Sequence, residues 1–91
     1  MASEEKFQAA QARVKTLSKT PAPQTLLELY SLFKQATKGD ASGKRPGALD
    51  FKGRAKFDAW AGRKGLSREA AMQAYAELVD RLSAADSKSG A

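Results

Sequence analysis

Within Tyr30-Ser31-Leu32-Phe33-Lys34, two aromatic rings stand three residues apart and a lysine lies one turn beyond the first. On a helix these three side chains share a face. A ring offers a flat surface on which a base stacks, and an ammonium group at its edge pairs with phosphate, so the trio suits a nucleotide. Aromatic pairs at this spacing also serve as plain core, and it is the neighbouring cation that favours a site. A second basic group follows in Lys52, Arg54 and Lys56, then Arg63 and Lys64. Lys52 and Lys56 are four apart and share a face, as further cations for the same anion or as a solvated basic surface. Tyr75 stands apart from both groups, a core residue by type whose hydroxyl reaches for solvent.

The residues that are missing narrow the chemistry further. The 91-residue chain contains no cysteine and no histidine. It therefore has no thiolate to attack a substrate or bind a metal, no disulfide framework, and no imidazole base. Lys, Asp and Glu assemble no nucleophile–base pair or metal constellation, so a binding protein without catalysis or cofactor is expected. The net charge of +6 calls for an anionic partner: nucleic acid, an acidic membrane surface, or a small polyanion. A nucleic-acid-binding domain would gather its bases on one exposed helix. Here they are spread along the chain with acidic residues between them, so no nucleic-acid partner is expected.

The elements that position these residues are all helical. Ser3 is placed to cap a first helix running to about Leu17, with Glu4 and Glu5 in the first turn, where the helix dipole favours negative charge. Phe7, Ala10, Val14 and Leu17 recur on one face. Thr20-Pro21-Ala22-Pro23 ends it, and Pro23 suits the first turn of the next helix. From Gln24 to Lys38 two adjacent apolar stripes, Leu26-Tyr30-Phe33-Thr37 and Leu29-Leu32-Ala36, predict a helix packed on more than one side, stopped by Gly39. Asp40 to Leu49 is dense in turn formers and reads as a long loop. Asp50 caps a short third helix carrying Ala55, Phe57, Ala59 and Trp60, which ends among Gly62 and Gly65. Ser67 caps the last helix, with Met72, Tyr75, Val79 and Leu82 on its stripe. The small, polar residues after Leu82 are expected to fray, giving one domain over 1–86 and a disordered tail over 87–91. Val14 and Val79 are the sole β-branched aliphatics, so the fold class is all-α, a four-helix bundle. The start, Met1-Ala2-Ser3-Glu4-Glu5, lacks the basic and apolar runs of a secretory signal. No apolar run approaches the ~18 residues of a membrane span, so a cytoplasmic protein without stable membrane insertion is expected.

Taken in order, the runs Leu29–Asp40 (LYSLFKQATKGD), Arg45–Trp60 (RPGALDFKGRAKFDAW) and Lys64–Tyr75 (KGLSREAAMQAY) closely resemble the acyl-CoA-binding protein family. The resemblance extends from about Phe7 to Leu82. It implies that family's four-helix bundle, with a long loop between helices 2 and 3. It also implies the activity: binding of medium- to long-chain fatty acyl-CoA thioesters by an intracellular carrier and pool-former, expected to be a monomer. By the same resemblance, Phe33 occupies the position of a tyrosine that lies against adenine, Lys34 and Lys56 match lysines that meet the phosphates, and Tyr30 and Tyr75 supply hydroxyls to phosphate and ribose. Lys15 and Lys52 match secondary contacts at the nucleotide, while Phe7, Leu26, Leu27 and Leu29 line the acyl path. Two positions depart from the pattern. Phe33 lacks the tyrosine hydroxyl, and Thr20, with Lys19 before it, stands where the family often has a lysine.

Overall fold

A computed structural model describes residues 2–89, and side-chain environments for 3–86 of these. The chain forms α1 (Ala2–Val14), α2 (Pro23–Lys38), α3 (Phe51–Ala61) and α4 (Arg68–Ser89). No strand occurs among the described residues.

The helix ends largely follow local chemistry. Pro23 opens α2 without a side-chain cap, and Gly39 closes it at a φ of 81°, donating its N–H to the Gln35 carbonyl; that left-handed conformation favours glycine. The Asp50 carboxylate accepts the Gly53 N–H at the start of α3, 2.9 Å away. The Ser67 hydroxyl accepts from the Ala70 N–H at the start of α4. At α1 the structure departs from the sequence expectation. The helix already includes Ser3, which therefore does not cap it, and it stops at Val14 instead of Leu17. The Thr16 hydroxyl donates to the Arg13 carbonyl and the Thr16 N–H does the same, folding the chain into a turn. Lys15 consequently sits in that turn.

Packing centres on α2 and α4, which lie against each other; α1 packs on α4 and α3 on α2. The core gathers Phe7 and Ala10 from α1, Leu29, Leu32 and Ala36 from α2, and Ala71, Tyr75, Ala76 and Val79 from α4. Small residues on α4 allow the close approach of α1 and α2. Helix α3 buries none of its residues, so it leans on α2 instead of joining the core.

The last helix is longer than its apolar stripe. It continues to Ser89, so residues 83–89, read from sequence as a fraying tail, are helical, while Gly90 and Ala91 lie outside the described residues. An added tether explains the extension as far as Asp86, whose carboxylate accepts both the N–H and the hydroxyl of Ser18. Leu82 and Ala85 also face Leu17 and Pro21 across a small cleft.

Candidate functional site

Because α3 buries nothing, a cleft of about 250 Å³ remains between it and α2, lined by Pro23, Leu26, Leu27, Tyr30, Lys52, Ala55 and Lys56. Its walls are aliphatic and aromatic, and its polar groups are two lysines and a phenol. The Lys56 ammonium stands over the Tyr30 ring, 5.4 Å from the centroid, close enough for cation–π attraction. One turn further along both helices the arrangement repeats with the roles exchanged: Lys34 of α2 stands 4.8 Å from the Trp60 ring centroid of α3. Residues 30 and 34, and 56 and 60, are each four apart, so the two helices meet in a pair of cation–ring rungs. The Trp60 indole N–H in turn donates to the Gly39 carbonyl, at 2.8 Å.

A second, wider cleft of about 560 Å³ opens on the other flank of α2, lined by Glu4, Phe7, Gln8, Gln11, Ala12, Lys15, Phe33, Ala36, Thr37 and Met72. Here the Phe33 ring is partly exposed and tilted against Phe7 at 6.0 Å between centroids. Phe7 meets Tyr75 edge to face at 5.1 Å, forming the floor. Burial raises the Tyr75 phenol above its ordinary value of 10.0, because the charged phenolate loses its hydration there.

The structure thus distributes the residues proposed from sequence over two flanks of one helix. Leu26, Leu27, Tyr30, Lys52 and Lys56 line the α2–α3 cleft, and Phe7, Lys15 and Phe33 line the wider one. Lys34 lies at the α2–α3 seam and Tyr75 beneath Phe7. Leu29 lines neither cleft. It is only 6% exposed and belongs to the core with Leu32 and Val79, because position 29 of α2 points at α4. Lys19 and Thr20 lie by the small cleft at the end of α4, apart from both groups.

Sequence reasoning gave no role to the polar residues that hold this frame. Gln35 is fully buried and donates to the Asp40 carboxylate and to the Leu66 carbonyl, both at 2.9 Å. The same carboxylate oxygen accepts the Gly65 N–H at 2.9 Å. That bond, then the one from Gln35, holds the Asp40 carboxyl below its ordinary value of 3.8. One carboxylate thereby ties α2 to the α3–α4 turn. Arg63 donates to the buried Ser31 hydroxyl at 2.9 Å. Arg45 grips Asp58 through two bonds of 2.9 and 2.8 Å, pinning the long loop to α3; the bond from Arg45 is the main reason that the Asp58 carboxyl titrates below 3.8. The signal was present in the unbroken pattern around Gln35 and Asp40, but a buried amide is invisible to a search for apolar periodicity. Among the described residues, no group of three or more carboxylates gathers to hold a metal.

These features define a helical binding module in which rings and cations flank one helix and an apolar cleft opens beside them. Residues 4–79 match the family described as Acyl CoA binding protein. The chain belongs to that family, whose members are non-catalytic binding proteins; it is not an enzyme. It is 51% identical over 83 residues to an acyl-CoA-binding protein homolog of Manduca sexta, covering 90% of this chain and 92% of that relative. A homolog of the same name from Drosophila melanogaster is 50% identical over 78 residues, covering 86% of this chain and 91% of its own. Among solved structures, the crystal structure of Oryza sativa acyl-CoA-binding protein 2 superposes with a TM-score of 0.90 at 39% identity, covering 96% of this chain and 95% of that one. The protein of the same family from Moniliophthora perniciosa gives 0.85, also at 39% identity, over 91% and 82% of the two chains.

Proposed function

We propose that this protein binds medium- to long-chain acyl-CoA thioesters and serves as a cytoplasmic, monomeric carrier and pool-former for them. The observation that carries the reading is the α2–α3 cleft: an apolar trough between Leu26, Leu27 and Ala55 with Lys52 and Lys56 at its rim. Coenzyme A presents an adenine ring, a ribose 3′-phosphate and a pyrophosphate, and its thioester adds an apolar chain. Such a ligand needs a stacking ring, several cations and a trough together. In this reading Phe33 stacks on adenine, Lys34 and Lys56 meet phosphates with Tyr30 and Tyr75 supplying hydroxyls, and Lys15 and Lys52 add charge at the nucleotide. Leu26 and Leu27 take the acyl chain, while Phe7, on the other flank of α2, backs the Phe33 ring. Family membership supports the same ligand, since the relatives carry it in their names.

The thioester is held intact. Attack on it would need an activated nucleophile, and a chain without histidine or cysteine has neither of the usual means of making one. Titration calorimetry tests the reading with three probes: palmitoyl-CoA, free CoA and palmitate. Palmitoyl-CoA is expected to bind tightest, because it alone uses both the cations and the trough. Equal affinity for palmitoyl-CoA and free CoA would remove the trough from the site, and palmitate binding as tightly as palmitoyl-CoA would remove the nucleotide-binding groups from it.

A further inference from the structure

Two large apolar side chains stand in solvent where the long loop enters α3: Leu49 is 91% exposed and Phe51 is 75% exposed. The exposure of Phe51 follows from the lean of α3, none of whose residues is buried. Phe51 lies one turn before Ala55 on the same helix, and Ala55 lines the α2–α3 cleft. Leu26, on the α2 side of that cleft, is 43% exposed. The apolar surface at the mouth therefore reaches outward to Phe51, and Leu49 stands two residues before it.

The surroundings of this pair are basic. Between positions 44 and 56 the chain has five basic residues and one acidic residue. That one acid, Asp50, is occupied in capping Gly53. Arg45 is paired with Asp58, and Arg54 is turned onto the Pro46 carbonyl. Lys52 follows Phe51 directly in the chain, and it, Lys44 of the preceding loop and Lys56 one turn on are all exposed.

We infer that Leu49 and Phe51, with Lys52 next to Phe51 in the chain and Lys44 in the loop before them, form a docking surface for an anionic lipid bilayer, beside the α2–α3 cleft. Charge complementarity selects this occupant. A second copy of the chain would press its own Lys44 and Lys52 against these, and like charges brought together oppose association. Nucleic acid would satisfy the lysines but gives an aliphatic side chain such as Leu49 no partner. A bilayer with acidic headgroups satisfies both, since lysines within a Debye length of its surface are attracted and short apolar side chains enter the boundary with the acyl region. Attachment through two side chains is shallow and reversible, unlike insertion of a helix. Docking does not itself depend on the proposed ligand; its use for loading or unloading acyl-CoA does.

The test uses unliganded protein and sedimentation with vesicles, so failure here and failure of the acyl-CoA reading are separate results. Protein should partition onto phosphatidylcholine vesicles containing about a third phosphatidylserine, weakly onto pure phosphatidylcholine, and detach in about 0.5 M NaCl. Changing Leu49→Ser together with Phe51→Ser should cut partitioning at least about tenfold. Lys44→Glu should cut it several-fold without touching the apolar pair. Both side chains stand in solvent, so the circular dichroism of the double variant should be unchanged, and its calorimetric affinity for octanoyl-CoA should stay within about threefold. No partition onto acidic vesicles, equal partition onto neutral ones, or a double variant that binds vesicles as the parent does would overturn the inference. So would a salt-resistant dimer in sedimentation velocity that disappears with the double variant, which would assign the surface to a second copy. Displacement of the vesicles by duplex DNA with equal loss in the double variant would assign it to nucleic acid.

Discussion

Removing the Phe33 ring separates its two roles, because the structure gives it both a wall to stand in and a face to offer. The ring is half-buried, packs against the core around Phe7 and faces the wider cleft. Truncation of a fully buried phenylalanine costs about 3–5 kcal/mol. Scaled to a ring that is only half-buried, Phe33→Ala should cost about 2 kcal/mol of stability, a fall in Tm of roughly 8–16 °C for a domain of this size. Loss of a stacking partner for adenine costs about 1–3 kcal/mol of binding free energy, a roughly five- to 150-fold weaker Kd. Phe33→Leu sharpens the distinction, since it keeps most of the apolar volume but has no flat face. It should retain most of the Tm and lose most of the stacking. Phe33→Tyr supplies a hydroxyl worth about 0.5–1.5 kcal/mol at best, so affinity should change less than about tenfold, toward tighter binding. The assay is calorimetry with palmitoyl-CoA at 25 °C, paired with thermal denaturation. If Phe33→Ala lowers Tm as expected while Phe33→Ala and Phe33→Leu both bind normally, the ring is core alone and the stacking argument fails.

Two further substitutions divide the ligand between head and tail. Lys56→Ala should weaken palmitoyl-CoA and free CoA by similar factors of about ten, less at high salt, whereas Leu27→Ala should weaken only the acylated ligand, by roughly three- to tenfold; equal losses for both ligands in both variants would contradict the division. The Ser18–Asp86 tether carries a pH signature. The Ser18 hydroxyl, then its N–H, holds the Asp86 carboxyl below its ordinary 3.8, so its stabilisation is present above that value and is lost as pH falls through the lower value of the folded state. Asp86→Ala should therefore lower Tm at neutral pH, with the difference shrinking toward about pH 2; an equal difference at both pH values would place the effect elsewhere.

The helices were legible because most helix ends obey rules written in single residues. Gly39, Asp50 and Ser67 end or begin helices as their chemistry requires. Ser3 was misread because a serine before acidic residues signals a cap wherever it occurs, and whether the chain continues helically before it depends on what precedes. The Leu29-Leu32-Ala36 stripe is core as the period predicts. Its neighbour, Leu26-Tyr30-Phe33-Thr37, is split between two flanks, since its span around α2 is wide enough to face α3 at one edge and α1 at the other. The resemblance places Leu29 on the acyl path, but in the fold it lies in the core with Leu32 and Ala36. Distance along the chain hid the rest. Gln35 to Leu66 and Arg63 to Ser31 are contacts between segments about thirty residues apart, and local pattern holds no information on which polar groups will meet.

The paired rungs between α2 and α3 explain why a helix with no buried residue can still form a firm wall. Lys56 over Tyr30 and Lys34 over Trp60 each join the helices through a cation and a ring, an attraction of about 0.5–1 kcal/mol at an exposed site. With the two bonds from Arg45 to Asp58 and that from Trp60 to Gly39, they fasten α3 by its edges. Filling the seam with aliphatic side chains would fasten it more strongly but would close the trough. Edge fastening leaves the space between Leu27 and Ala55 open, and it holds two ammonium groups against ring faces that carry no formal charge. A carboxylate partner in place of either ring would neutralise its lysine and compete with an incoming phosphate. A ring orients the lysine and leaves its charge unspent, so the contacts that hold the helix in place also keep the cations ready for an anion.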